Sequence, residues 1–310
     1  SSDFGEEQEL GLVIGYTFTP INRLGGEWRS LLRLGEEQGL VTELYQPVAA
    51  YSPYFVLPRL FFLNQRFNQI QDGRIIAEDR VERLGGTLLV GREFGTWGRL
   101  SAGVTRFTGK VSTRIGPPSE GDTDIDGGEV EARFRVDTLN DFHFPRSGNR
   151  SLLGWIGSRE SLGADFRFNQ LLLDTVLAKS WGRHTLLLGV RYFSTVDGEA
   201  PVQSRFRLGG LFELPGFARN ELTGQHVALL RSGYLRRLGE AWSSPSYVGF
   251  TLQYGNAFED EDDIEFDNAL VAGSAYLGMD TLFGPVYLGY GLAEGGRSSL
   301  YLQIGSSFAF

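Results

Sequence analysis

The chain has 310 residues, among them 42 Gly, one Met, three His and no Cys, and carries a formal charge of −9. The missing Cys excludes a disulfide framework, a thiolate metal site and a cysteine nucleophile. Three scattered His argue against a zinc enzyme, and the net acidity argues against a nucleic-acid partner.

The hydrophobic pattern has period two, the signature of strands, whose successive side chains point to opposite faces. In chain order the predicted strands span 10–20, 26–36, 39–50, 53–68, 74–94, 97–112, 125–138, 149–158, 162–180, 183–195, 225–238, 246–256, 269–279, 284–292 and 299–310. In the second, Trp28, Leu32 and Leu34 alternate with Glu27, Arg29 and Arg33. In the seventh, Glu129, Glu131, Arg133, Arg135 and Asp137 interleave with Val130, Ala132, Phe134 and Val136. A helix would scatter both sets around its circumference; a strand separates them. Leu186, Leu188, Val190 and Tyr192 share one face, as do Val248, Phe250, Leu252 and Tyr254 opposite Gly249, Thr251 and Gln253. The last strand sets Leu300, Leu302, Ile304, Phe308 and Phe310 against Tyr301, Gln303, Gly305, Ser307 and Ala309.

Segments 81–94 and 162–180 exceed the usual strand of about five or six residues, whereas about 9–11 residues cross a bilayer as a tilted strand. A membrane-spanning helix needs about 20 apolar residues, and the longest uncharged stretch, 44–57, is broken by Pro47 and Pro53.

The connections alternate in character. Gly95-Thr96-Trp97-Gly98, Ser180-Trp181-Gly182, Tyr51-Ser52-Pro53 and 281–285 are short. Segments 110–125, 195–224 and 255–268 are long, the last carrying Glu259-Asp260-Glu261-Asp262-Asp263. Short periplasmic turns and long outside loops are the asymmetry of an outer-membrane barrel. On that alternation residues 4–9 fall in an outside loop, so residues 1–3 are expected to be the tip of a strand whose body lies upstream. The expected fold is therefore all-β, a 16-stranded antiparallel transmembrane β-barrel with an incomplete first strand, a single domain over 1–310 with both termini periplasmic. A lipid-facing Arg or Lys at the bilayer midplane costs about 2–4 kcal/mol, which assigns Glu129, Glu131, Arg133 and Arg135 to the lumen. Trp97, Trp181, Trp242, Phe283 and Phe310 fit an interfacial girdle.

No catalytic, metal or cofactor site is predicted. His143 lies near Asp141 and Ser147, but on a tight turn with Pro145 between His and Ser. Sequence adjacency does not make a triad, and Asp and Ser in a turn satisfy backbone groups. His184 and His226 stand at strand starts. The acidic run 259–263 lacks the spaced ligands and glycine of a Ca²⁺ loop and reads as a solvated surface loop. No Gly-x-Ser-x-Gly element is present.

Three segments carry a family resemblance. Asp137-Thr138-Leu139-Asn140-Asp141-Phe142-His143-Phe144-Pro145-Arg146-Ser147-Gly148 resembles the D…FP..G turn of the BamA-like bacterial surface antigen barrels. Leu208-Gly209-Gly210, then Leu214-Pro215-Gly216-Phe217, resembles their GG…VRGF segment, which in that family folds back into the lumen. The final strand, with Tyr301, Ile304, Phe308 and Phe310, resembles the C-terminal signal read by the outer-membrane assembly machinery. Within that superfamily, Leu208 to Leu238 is most similar to the barrel of patatin-like (PlpD-like) outer-membrane proteins of type V secretion.

The resemblance implies a translocator and membrane anchor for a patatin-like lipase fused upstream through an adaptor (POTRA) domain. It implies outer-membrane lipids, lipopolysaccharide, the assembly machinery and the fused passenger as partners, with a homodimer among the arrangements. A passive solute pore and an assembly factor are the alternatives. One departure stands out: Pro215 occupies the place of the family's Arg, which pairs with acidic groups of the inner wall. Arg219 or Glu213 is the expected substitute. The loop is still expected to enter the lumen, because Gly216 permits a tight turn and Phe217 escapes water by packing inside.

Overall fold

The computed structural model describes residues 11–35, 37–71, 74–115, 122–241, 244–282 and 284–305. Seventeen strands are present among them: β1 (Gly11–Phe18), β2 (Glu27–Gly35), β3 (Gln38–Pro47), β4 (Tyr54–Gln71), β5 (Arg74–Phe94), β6 (Gly98–Ile115), β7 (Thr123–Asp137), β8 (Ser147–Ser158), β9 (Phe168–Trp181), β10 (His184–Gly198), β11 (Phe206–Leu208), β12 (Leu222–Gly224), β13 (His226–Ala241), β14 (Ser244–Phe258), β15 (Leu270–Thr281), β16 (Gly284–Ala293) and β17 (Arg297–Ile304). Fifteen form one antiparallel sheet in chain order; β11 and β12 pair separately, inside the long connection between β10 and β13.

The sheet is curled. Arg207 stacks its guanidinium on Phe67 of β4, while Gly216, nine residues later, bonds to Tyr301 of β17. Flat, β4 and β17 would lie about 53 Å apart at about 4.8 Å per strand, yet nine residues reach at most about 32 Å. The turn between β7 and β8 likewise packs on Tyr247 of β14 and Tyr287 of β16. Both segments cross a concave space with the wall around them.

Period two sets the two surfaces. On β10, Leu186, Leu188 and Val190 point outward and are exposed, whereas Thr185 and Leu187 are buried. On β14, Phe250 and Leu252 are outward and Thr251 and Gln253 inward; on β17, Leu300, Leu302 and Ile304 are outward. This apolar outer surface runs from Leu12 to Ile304 across the wall. Monomeric soluble proteins seldom expose more than about 300–600 Å² of contiguous apolar area, so such a belt requires a nonaqueous cover. Trp97, in the turn between β5 and β6, and Trp181, at the end of β9, are exposed.

The predicted strands differ from the observed ones mainly at their ends. The strand expected from 162 begins at Phe168 instead: residues 160–162 form a 3₁₀ turn and Gly163 takes a left-handed φ of +80°. Leu162 continues the alternation in sequence but packs over Gly128 rather than joining the ladder. β4 and β8 extend beyond their predicted limits, and β11 and β12 are too short to announce themselves by periodicity. The expected sixteenth strand at residues 1–3, and Trp242, Phe283, Phe308 and Phe310, lie outside the described residues.

Candidate functional site: a lumen filled from both ends

The connection 199–225 folds into the concave space and seats its tip against the β13–β17 wall. The seat is cut by glycine. A Cβ at Gly291 would stand 2.6 Å from Pro215 Cβ and 2.8 Å from Gly216 N, and one at Gly289 would stand 2.6 Å from Leu211 Cδ1. Pro215 thus fills a hollow that admits a compact apolar ring. Gly216 needs its own freedom, with φ +104°. Leu214 adopts φ +60°, costly for a leucine, and is held there by complete burial and by its N–H donating to Gln253 Oε1 at 2.6 Å.

The tip is tied to the last strand. Gly216 N–H donates to the Tyr301 hydroxyl (2.8 Å), and that hydroxyl donates to Phe217 O (2.7 Å). Ser299 Oγ donates to Gly216 O at 3.2 Å. Arg297 pairs with Glu221 and lies over the Phe217 ring, 4.7 Å from its centroid. Phe217 is only 3% exposed, packed with Leu208, Leu214, Val227 and Leu229.

A buried charge network fixes the middle of the loop. Asp174 of β9 accepts from Arg191 of β10 (2.7 Å) and from Arg231 of β13. Arg191 also reaches Glu213 of the loop at 2.6 Å. The polarity is inverted relative to the resemblance: the wall supplies the arginine and the loop the carboxylate. Of the two expected substitutes, Glu213 makes this contact and Arg219 is exposed. At the loop's base Arg207 stacks 3.5 Å from the Phe67 centroid. Burial pushes its guanidinium pKa down to about 10, so it remains a cation at neutral pH.

From the other mouth, the 138–146 turn enters. Asn140 Oδ1 accepts from the N–H groups of Arg146 (2.8 Å) and Ser147 (2.7 Å), and Asp141 Oδ1 from those of His143 (2.8 Å) and Phe144 (2.7 Å). These bonds shape the turn and commit Asp141 to the backbone, not to the His143 ring. Phe144 projects inward and stacks on Tyr247, centroids 4.3 Å apart at 8°. Tyr287 donates its hydroxyl to His143 O (3.1 Å) and touches both Phe144 (5.2 Å) and the loop's Phe212 (5.1 Å). The two intrusions therefore meet on Tyr287. Nothing in the local sequence pairs residues 144, 212 and 287; their meeting is a property of the curled sheet.

The facing wall is different. Glu129, Glu131, Arg133 and Arg135 share a face with Ser101 and Phe107 of β6, opposite the outward Leu100 and Val104. Arg133 pairs with Glu131 (2.6 Å), Arg59 with Glu43 (2.8 Å) and Arg99 with Glu93 (2.5 Å). Arg99 and Arg135 stand directly opposite across β6 and β7, a like-charge juxtaposition that the Glu93 carboxylate on Arg99 offsets. The lumen thus has one half filled by the loop and the turn and a facing wall that carries paired charges between apolar clusters. Of the residues expected in the C-terminal signal, Tyr301 points inward to the loop and Ile304 points outward.

Tyr301→Phe removes two hydrogen bonds from the tip, each worth about 1 kcal/mol. Trypsin cleavage after Arg219 in the detergent-solubilised chain is expected to accelerate about ten- to thirty-fold, with circular dichroism unchanged.

No family model matches the sequence, and the search of curated proteins found no sequence relative. Solved structures do match in fold. BamA from Haemophilus ducreyi lacking POTRA domains 1–3 superposes with a TM-score of 0.73 at 10% identity, over 96% of this chain and 69% of that one. CdiB from Escherichia coli gives 0.67 at 11% identity, over 95% and 59%. CdiB from Acinetobacter baumannii gives 0.59 at 10%, over 96% and 56%. The chain spans between 56% and 69% of the length of these proteins. At such identities the likeness is one of fold, a β-barrel of the BamA and CdiB type.

Proposed function

We propose that this chain is the membrane-embedded barrel of a Gram-negative outer-membrane protein that handles polypeptide rather than small solutes. The observation that carries the reading is the loop tip seated on the final strand: Gly216 and Phe217 bond to Tyr301, and Arg297 holds Glu221. A device that occupies the lumen and grips the edge of the wall suits a barrel whose interior must be sealed at rest. The outer apolar belt supplies the membrane contact, and the long-loop side faces outward from the cell.

The finer reading is a translocator and anchor for a patatin-like phospholipase or esterase fused N-terminally. It rests on the resemblance of the Leu208 to Leu238 segment, and it places lipid hydrolysis in the passenger, not in the barrel. The fused passenger, the outer-membrane assembly machinery and lipopolysaccharide are its partners. An assembly factor that inserts other barrels is the second reading, favoured by the BamA-like fold.

Two measurements separate these. In planar bilayers the intact chain is expected to stay closed, with only brief ion steps; sustained conductance would mean a solute pore. Depletion in the native cell is expected to abolish surface display of the attached passenger and leave other barrels at normal levels. A general loss of outer-membrane proteins would identify an assembly factor instead.

A further inference from the structure

Five cations gather at the rim where the short turns lie: Arg146, Lys179, Arg183, Arg236 and Arg237. Arg146, Ser147 and Lys179 line one surface cleft; Arg146, Arg183, Arg237 and Glu240 line the next. Arg146 donates to Gly182 O at 2.6 Å, but none of the five lies within ion-pair distance of a described carboxylate. Arg146 and Arg237 lie toward Tyr247 with Asp141 and Asp280 on the lumenal side, and Glu240 lines the second cleft beside Arg183, which leaves Lys179 and Arg236 facing outward without a described acid nearby. By contrast, Arg59, Arg99, Arg133, Arg191 and Arg297 of the wall each pair with a carboxylate. In a chain of net charge −9, unneutralised cations concentrated at one rim call for an external anion.

The outer face says which anion. Two register rows cross β9, β10 and β13: Trp181, His184 and Arg236, then Lys179, Leu186 and Tyr234. Lys179 and Arg236 are outward and exposed, two strands and two residues apart, about 12 Å between their Cβ atoms. Long flexible stems let both reach one group between them. That space is floored by an aromatic platform. Trp181 stacks on His184 (6.1 Å, 14°), His184 Nδ1 hydrogen-bonds with the Tyr234 hydroxyl, and Tyr234 lies over Phe250 (6.4 Å, 29°). Immediately toward the middle of the belt, Leu177, Leu188 and Leu252 are bare. Cations and amphipathic aromatics share the two rows nearest the rim and exposed leucines follow, the order of a lipid's headgroup region and acyl chain.

We propose that Lys179 and Arg236, supported by Arg183 and the Trp181–His184–Tyr234 platform, bind the phosphate of an anionic glycerophospholipid in the leaflet on the short-turn side. The site rests on the membrane-barrel reading. Insertion into vesicles of phosphatidylcholine alone tests that reading; lipid preference tests the site.

The whole chain in maltoside micelles is titrated with phosphatidylglycerol, phosphatidylcholine or inorganic phosphate, and bound species are counted by native mass spectrometry. One phosphatidylglycerol per chain is expected to bind well before phosphatidylcholine, and inorganic phosphate is expected not to compete at millimolar concentration. The double variant Lys179→Gln/Arg236→Gln should weaken phosphatidylglycerol binding about thirty-fold. Arg106→Gln/Lys110→Gln, at the opposite rim, should leave it unchanged, and unaltered heat-modifiable migration certifies folding of each variant. Equal binding by wild type and the Lys179/Arg236 variant, no preference over phosphatidylcholine, or full competition by inorganic phosphate would overturn the proposal.

Discussion

Replacing Gly291 by leucine will drive the lumenal loop off its seat. The first added carbon already stands 2.6 Å from Pro215 and 2.8 Å from Gly216 N, and the rest of the side chain points at the same backbone. β16 cannot yield, because it is paired along its length to β15 and β17. The loop must move, and with it go the bonds to Tyr301, Ser299 and Gln253 and the burial of Leu214 and Phe217. Overpacking costs about 1–3 kcal/mol by itself, and each fully buried Leu or Phe contributes about 1.5–3 kcal/mol. Together these exceed what the tip's seat on the β13–β17 wall can lose, leaving the connection held at Arg207 and Glu213. Gly291→Leu is expected to turn the brief current steps of the intact chain into sustained conductance, and to make Arg219 trypsin-sensitive at least a hundred-fold faster. Gly291→Ala, with one carbon to place, is expected to fall between. A Gly291→Leu chain that stays closed and protected would mean that the loop does not seal the lumen.

The second large effect belongs to Asp174. It serves both Arg191 and Arg231, and the Arg231 side chain is fully buried. Removing one member of a buried ionic network costs about 3–5 kcal/mol, mostly through the charge left behind. Asp174→Ala is therefore expected to destabilise the vesicle-inserted chain by that amount in urea unfolding. Glu213→Gln should cost only about 1 kcal/mol, because Arg191 keeps Asp174. Its effect should appear instead as faster loop proteolysis. Asp174→Ala combined with Arg231→Met should recover much of the loss, since no buried cation then lacks its acid. Equal stability losses for Asp174→Ala and Glu213→Gln would show that the network anchors the loop and not the wall.

Much of the wall was legible because a strand with one face in lipid and one in water must alternate. The charged set at 129–135 and the outward leucines of β10, β14 and β17 announced themselves in this way. Leu162 shows where alternation misleads: it continues the pattern yet lies outside the ladder, because the left-handed Gly163 turns the chain first. The filling of the lumen was only half legible. Leu214-Pro215-Gly216-Phe217 pointed to an inward loop by resemblance, and Phe217's apolar ring gave a physical reason. Its docking partners were hidden, since Tyr301 is 84 residues from Phe217 and Gln253 is 39 from Leu214. Pro215 read as a missing charge; the glycines at 289 and 291 that accommodate the loop became meaningful only once β16 lay beneath it. Phe144 was part of a recognised turn, but its stacking on Tyr247 depends on a sheet curled far enough to bring β14 over β7.

The separation of the two faces underlies every inference above, and the absence of cysteine from the chain makes it directly measurable. Single substitutions Val130→Cys, Phe134→Cys, Leu188→Cys and Leu252→Cys place a spin label outward, and Glu131→Cys and Arg133→Cys place it inward. In reconstituted vesicles the outward labels are expected to relax strongly with oxygen and weakly with a water-soluble nickel chelate, and the inward pair in the opposite sense. Nickel accessibility at 134 and 252 matching that at 131 and 133, or oxygen preference at 131 and 133, would contradict a barrel with an apolar exterior and a hydrated charged wall within.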